Sequence, residues 1–79
     1  MADTVSIQLF ATLGRFARGG RTRFTLAWHP GMDVQAVLDS LKIPDTVERV
    51  VLVNRRYTPA DGVLSPGDTL AIFPPMTGG

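Results

Sequence analysis

Residues 33–41 have the sequence DVQAVLDSL and decide the fold, because they form the one stretch with clear helical spacing. Their apolar residues recur at intervals of three and four: Val34, Val37, Leu38 and Leu41. This spacing predicts an amphipathic helix that turns Leu38 toward a core. Asp33 is a good N-cap after the break at residues 30–31 (PG), and the helix is expected to end near Pro44.

Alternating apolar residues predict a hairpin before this helix. In residues 5–10 (VSIQLF), valine, isoleucine and leucine alternate with residues of the other face, where Phe10 is the one apolar exception. Residues 21–26 (RTRFTL) alternate in the same way. Alternation with period 2 is typical of strands with one buried face. The residues between them, 12–20, are expected to form a loop or a short helix.

Two further strands are predicted after the helix. Residues 50–53 (VVLV) are fully apolar, as in a buried strand, and residues 54–56 should turn the chain after it. Residues 65–68 (SPGD) form a second turn, and residues 69–73 (TLAIF) form the final strand. The order β-β-α-β-β predicts an α+β fold in which one sheet wraps around one helix. Two hairpins flanking one helix can place the first and last strands side by side.

Length and composition limit the classes of function. A chain of 79 residues makes one small domain, and 44% hydrophobic with 19% charged residues is typical of a folded globule. A net charge of +1 argues against general nucleic-acid binding. No segment approaches the roughly 20 apolar residues of a membrane span, and no signal peptide is recognisable. We therefore expect a cytoplasmic protein without a nucleic-acid or membrane partner.

The residues needed for conventional catalysis are missing. The chain has no cysteine, which excludes disulfides, thiolate metal sites and a cysteine nucleophile. His29, the single histidine, lies in a predicted turn and is expected to be a surface or packed imidazole. An arginine cluster is either a solvated face or a docking patch for an acidic partner. It consists of Arg15, Arg18, Arg21 and Arg23. We expect no catalytic site, no metal and no bound cofactor on the chain itself.

The chain ends with the sequence FPPMTGG, residues 73–79. Proline cannot donate to a sheet, so Pro74 and Pro75 should end the last strand and hold the following residues off the globule. We therefore divide the chain into a domain over residues 1–75 and a flexible tail over residues 76–79. Glycine passes through a narrow channel and leaves the acyl carbon of Gly79 open to a nucleophile. This ending indicates a reactive carboxylate, with a frayed terminus as the alternative.

The element order and three motifs resemble the MoaD/ThiS family of ubiquitin-like sulfur carriers, nearest to its MoaD branch, over almost the whole chain. The motifs are VLVN at residues 51–54, PGD at residues 66–68 and FPPMTGG at the end. The resemblance implies a β-grasp fold with a mixed sheet around one helix. The chain departs from the family at Arg55, where glycine is common, and at residues 14–16 (GRF), where an Arg-Glu pair is common.

The same resemblance implies a role. A MoeB- or ThiF-type enzyme would use ATP to adenylate Gly79, and a persulfide donor would convert the product to a thiocarboxylate. The tail would then enter a large, MoaE-like synthase subunit, where the sulfur is transferred to a pterin precursor for the molybdenum or tungsten cofactor. The carrier itself would be the non-catalytic small subunit. The residues that would thread the tail are Pro74, Pro75, Met76, Thr77 and Gly78.

Other acceptors stay open from the sequence: the thiazole of thiamine, tRNA or an amino acid, or attachment to proteins as a ubiquitin-like modifier. The pair Pro74-Pro75 favours the molybdopterin branch, because thiazole carriers usually lack it. The sequence leaves undecided the metal, the activating enzyme and the oligomeric state.

A docking surface is also predicted at the root of the tail. If residues 5, 7 and 9 face the helix, period-2 geometry places Phe10 on the open face of the sheet, and Ala71 and Phe73 join it there from the last strand. With the first and last strands adjacent, as the family implies, Phe10 and Phe73 would form an exposed apolar patch that fits a partner. The alternative is that one ring folds back into the core.

Overall fold

A computed structural model describes residues 3–17 and 19–75 of the chain. It contains five strands, one α-helix and one 3-10 helix. In chain order these are β1 (Thr4–Leu9), the 3-10 helix (Ala11–Phe16), β2 (Arg23–Ala27), α1 (Val34–Ser40), β3 (Val50–Val53), β4 (Arg56–Tyr57) and β5 (Thr69–Phe73).

The five strands form one mixed sheet in the order β2-β1-β5-β3-β4. The central pair, β1 and β5, is parallel, with Ile7 opposite Leu70 and Leu9 opposite Ile72. The other neighbouring pairs are antiparallel. The expected adjacency of the first and last strands is confirmed, and the sheet with its single helix has the predicted β-grasp arrangement.

The core lies between α1 and one face of the sheet. Alternate residues of the two central strands point into it, and each is at most 3% exposed: Val5, Ile7, Leu9, Leu70 and Ile72. The helix contributes Val34, Val37 and Leu38, which are also buried. Leu38 is 1% exposed, as its place in the helical spacing predicts. Burial of these side chains supplies the main stabilisation of a domain this small.

The N-terminus of α1 has the predicted cap. Asp33 has an extended backbone, and its carboxylate accepts a hydrogen bond from the Ala36 amide at 2.8 Å. This contact satisfies one of the amide groups that have no partner within a helix.

The C-terminus of α1 lies at Ser40, so the prediction that the helix extends to near Pro44 is wrong. The chain leaves the helix because Lys42 has a left-handed backbone, with φ of 60°. The Ile43 amide then donates to the Leu38 carbonyl at 3.0 Å, the pattern of a Schellman motif. The motif buries the Ile43 side chain, so burial ends the helix before proline can.

The strand β4 was not predicted, and Arg56 was wrongly assigned to a turn. Asn54 and Arg55 form a two-residue loop between β3 and β4, and both have positive φ, 51° and 71°. Such a loop is typical of a type I′ hairpin, whose usual sequence signal is Asn-Gly. Arg55 occupies the glycine position, so the signal is absent from the sequence.

The remaining boundaries differ little from prediction. The second strand begins at Arg23 and ends at Ala27, shifted by two residues at its start and one at its end. The segment before it contains a short helix, which was one of the two expected alternatives. Leu13 anchors this helix to the core and is 2% exposed.

Candidate docking face at the root of the C-terminal tail

The sheet has a second face, opposite α1, that no helix or strand of residues 3–17 and 19–75 covers. We call it the open face. Its central residues alternate along the strands with the core residues, so β1 contributes Gln8, β5 contributes Ala71 and Phe73, and β3 contributes Val50 and Leu52. All five are half-buried.

Two aromatic rings stack at one end of the open face. The centroids of Phe10 and Phe73 lie 4.3 Å apart, and the ring planes differ by 11°. The parallel register explains the contact, since Leu9 pairs with Ile72 and the Phe10 amide donates to the Ile72 carbonyl at 3.0 Å. Neither ring packs against the core cluster. The alternative that one ring folds inward is therefore wrong, although stacking leaves both rings half-buried and less exposed than predicted.

The stacked rings form one wall of an apolar hollow, which we call the tail-root hollow. Its lining also includes Val50, Leu52, Tyr57, Pro74 and Pro75. Tyr57 is 82% exposed, the highest value among the large apolar side chains described. An aromatic side chain so exposed beside an apolar hollow is typical of a protein-binding surface.

Sequence reasoning missed four residues of this hollow: Val50, Leu52, Tyr57 and Ala11. Val50 and Leu52 lie in the run predicted to be fully buried, yet only Val51 and Val53 are buried, at 7% and 9% exposure. Alternation with period 2 along β3 could have predicted that Val50 and Leu52 lie on the open face. Tyr57 could not have been found, because it reaches the open face through β4, where it pairs with Leu52.

The tail itself leaves the sheet from this place. Pro74 and Pro75 follow β5 directly and are half-buried in the wall of the tail-root hollow. The other predicted tail residues, Met76, Thr77, Gly78 and Gly79, lie outside the residues that the structure describes. The two prolines therefore bring the last described part of the chain to the predicted docking surface.

The remaining candidates do not line the tail-root hollow. Arg15 lies over the Phe16 ring at 4.9 Å. Arg23 pairs with Gln8 and so lies on the open face, but on the edge strand β2 and outside the lining of the hollow. Arg18 is outside the described residues. His29 is exposed, with its Nδ1 atom 3.1 Å from the Pro30 carbonyl oxygen.

Within residues 3–17 and 19–75, no helix has the length and apolar character of a membrane span, and no group of three or more His, Asp or Glu side chains is arranged for a metal ion.

The fold and this face define a class of protein. A mixed sheet that wraps one helix and releases the chain from its central strand is the architecture of ubiquitin-like β-grasp proteins. A model of the ThiS family matches residues 7–79, and the chain belongs to that family. It is thus a ubiquitin-like protein of the family of sulfur carriers and modifiers.

Three solved structures show what the chain is similar to. A provisionally assigned molybdopterin converting factor, subunit 1, from Pyrococcus furiosus has a TM-score of 0.78 and 21% identity, over 95% of this chain and 100% of its own. SAMP1 of Haloferax volcanii has a TM-score of 0.77 and 26% identity, over 96% of this chain and 99% of its own. A ubiquitin of Caldiarchaeum subterraneum has a TM-score of 0.60 and 18% identity, over 100% of each chain. A comparison with curated protein sequences finds no match.

Proposed function

We propose that this protein is a sulfur carrier whose Gly79 carboxylate is adenylated, converted to a thiocarboxylate and used to build molybdopterin. The observation that carries the proposal is the ending FPPMTGG, which begins with the last residue of a central strand beside an uncovered apolar face. The family supports a carrier that leaves catalysis to its partners.

The chemistry needs only the terminal carboxylate of this chain. One carboxylate oxygen attacks the α-phosphorus of ATP in the active site of a MoeB- or ThiF-type enzyme, and pyrophosphate leaves. A persulfide sulfur then attacks the acyl carbon and AMP leaves, which gives an acyl disulfide. A second thiol reduces the disulfide and releases the thiocarboxylate. A residue without a side chain at position 79 keeps the acyl carbon open to both attacks.

The fold contributes position rather than catalysis. Because β5 is hydrogen-bonded to β1 on one side and β3 on the other, its end is held firmly in the sheet. Pro74 and Pro75 follow and restrict their own backbone to extended geometry, so they carry the chain away from β5 in a defined direction. A partner that binds the open face would receive the tail at a fixed point, which lowers the entropy cost of threading.

The proposed partners follow from these steps. They are an adenylating enzyme, which brings ATP, a persulfide donor and a large, MoaE-like synthase subunit that receives the sulfur. The pair Pro74-Pro75 supports the molybdopterin branch over the thiazole branch. Reconstitution with a large synthase subunit and pterin precursor, in parallel with a thiazole-forming enzyme, tests the choice of branch.

Removal of Gly79 is the direct test of the chemical site. We expect the shortened chain to keep its unfolding midpoint, because the core lies within residues 3–73, and to gain no sulfur. Intact-mass analysis after incubation with the adenylating enzyme, ATP and a sulfide source measures the replacement of one oxygen by sulfur. Lys42→Ala, an exposed change on the helix side, is the matched control and should charge like the parent. Sulfur on the chain that lacks Gly79 would show that this residue is not the site.

A second candidate function is protein modification, which the similarity to the archaeal modifier SAMP1 at 26% identity favours. In that case an amine of a target, rather than sulfur, takes the acyl group. Incubation with ATP, the adenylating enzyme and cell extract distinguishes the two: modification gives higher-mass conjugates that disappear with Gly79, whereas a sulfur carrier gives the thiocarboxylate alone.

A further inference from the structure

Arg55 is the only charged residue among the described side chains that line two adjoining hollows of the open face, and its loop lies beside Thr69, at the end of β5 opposite to the tail. A second hollow adjoins the tail-root hollow and shares Leu52 and Phe73 with it; Asn54, Thr69, Ala71 and Arg55 complete its lining. Every other residue of the two hollows is apolar or uncharged. A single cation at an apolar surface is the pattern of an interface anchor, because arginine is enriched in such interfaces and other charged residues are depleted.

The backbone at Arg55 is one that favours glycine. Its φ of 71° lies in the left-handed region, at the second position of the two-residue loop between β3 and β4. Glycine adopts this conformation without steric cost, so arginine makes the hairpin less stable than it could be. The left-handed backbone does not by itself assign a use to the side chain, because Ala11 and Lys42 also have positive φ; it shows that replacement by glycine should not disturb the loop.

The loop is held in place by its neighbour. The Asn54 side chain accepts a hydrogen bond from the Thr69 amide at 3.0 Å and donates one to the Asp68 carboxylate at 2.9 Å. The Asn54 amide donates to the Thr69 carbonyl at 2.8 Å. These three contacts attach the loop to the start of β5, so the position of Arg55 relative to the open face is well defined.

The guanidinium of Arg55 has no anionic partner in the described part of the chain. There the one ion pair joins Arg49 to Asp45. The nearest carboxylate along the loop contacts, that of Asp68, is already used by Asn54 and by the Ser65 amide at 2.8 Å. Arg55 is exposed and remains available to a carboxylate from outside.

We propose that Arg55 is a specificity-determining residue of the open face and donates hydrogen bonds to a carboxylate of the adenylating enzyme. The proposal rests on the proposed function, since it assumes that this enzyme docks on the open face. The guanidinium presents several donors in a planar fork that matches a carboxylate, and the apolar surroundings strengthen the pair by excluding water. A partner without the carboxylate would leave Arg55 desolvated and unpaired, which disfavours wrong partners.

The test compares Arg55→Gly with Lys42→Gly. Lys42 is a matched control, because it is also an exposed basic residue with positive φ, 60°, but lies after α1 on the other side of the sheet. Each change removes one positive charge and relieves one left-handed backbone, so both should raise the denaturant midpoint of unfolding. Only Arg55→Gly should raise the KM of the adenylating enzyme for the carrier, by about five- to tenfold, in an ATP–pyrophosphate exchange assay with an enzyme that charges the parent.

Charge reversal and added salt give a second test of the role of Arg55. Arg55→Glu should raise KM by about a hundredfold, whereas Lys42→Glu should leave it within about twofold of the parent. Added NaCl should raise KM for the parent and have less effect on Arg55→Gly, because screening removes a charge pair that the variant lacks. Arg55→Lys should recover only part of the loss, since an ammonium lacks the fork.

The outcomes separate the two proposals. If the parent is charged and Phe73→Ala raises KM, but Arg55→Gly and Arg55→Glu leave KM unchanged, the role of Arg55 is overturned and the docking face stands. Equal effects of the Arg55 and Lys42 variants would also overturn it, because they would reflect net charge alone. If no adenylating enzyme charges the parent chain, both the proposed function and the role of Arg55 are overturned.

Discussion

The two faces of one sheet differ sharply, although the same strands build both. On β5, Leu70 and Ile72 are fully buried under α1, whereas Ala71 and Phe73 lie half-buried on the open face. β3 shows the same division, with Val51 and Val53 buried and the alternate residues partly open. Neighbouring residues one position apart thus have different surroundings.

This difference separates stability from binding. The covered face meets a helix and closes a core, so its side chains contribute to folding. The open face has no partner within the described residues, and its two phenylalanine rings stack on each other instead. Changes on one face should therefore alter the free energy of unfolding, and changes on the other should alter affinity.

The largest effect on stability is expected from Leu38→Ala on the covered face. The side chain is 1% exposed, and its truncation should lower the free energy of unfolding by about 2 to 5 kcal/mol. Denaturant and thermal melting measure the loss, and Asp39→Ala, an exposed change on the same helix, should cost less than about 0.5 kcal/mol. A Leu38→Ala protein that melts within a degree or two of the parent would show that Leu38 is not a core residue.

A smaller effect, on the other face, is expected from Phe73→Ala. We expect binding to the large synthase subunit to weaken by at least about 1 kcal/mol, because one of the two stacked rings is lost, with a smaller stability loss than for Leu38→Ala. Ile72→Val is the matched control, one position away on the covered face: it should cost about 0.5 to 1.5 kcal/mol of stability and leave affinity unchanged.

Titration and denaturant melting of both variants decide the comparison. A large stability loss in Phe73→Ala with unchanged affinity would place the ring functionally in the core. The division of the sheet into a folding face and a binding face would then fail.

The smallest effect is expected at the start of α1. Asp33→Ala removes the acceptor of the Ala36 amide and should cost about 1 kcal/mol of unfolding free energy without changing affinity. Asp33→Asn keeps a capping oxygen and should restore most of the loss. If Asp33→Ala binds more weakly under conditions in which it is fully folded, the helix side of the protein also contacts a partner.

Much of the fold could be predicted because its signals are local. The helical spacing of residues 34–41 and the alternation of residues 5–10 each act over a few positions. Both predicted correctly which side chains face the core. The Asp33 cap is equally local. The place of Phe10 beside Phe73 followed once the two strands were adjacent, but their docking role stays a prediction. So does the chemistry of Gly79.

The sequence by itself determined the order of the main elements, the core face of each and the composition of the tail, because spacing and turn residues act between near neighbours. Tertiary structure alone decided the end of α1 at Ser40, the strand β4 and the hollow around Tyr57. It also decided the left-handed Arg55, whose loop is held by contacts between Asn54 and residues 14 and 15 positions away. Hydrogen bonds and burial between distant residues decide such features, and no local pattern encodes them.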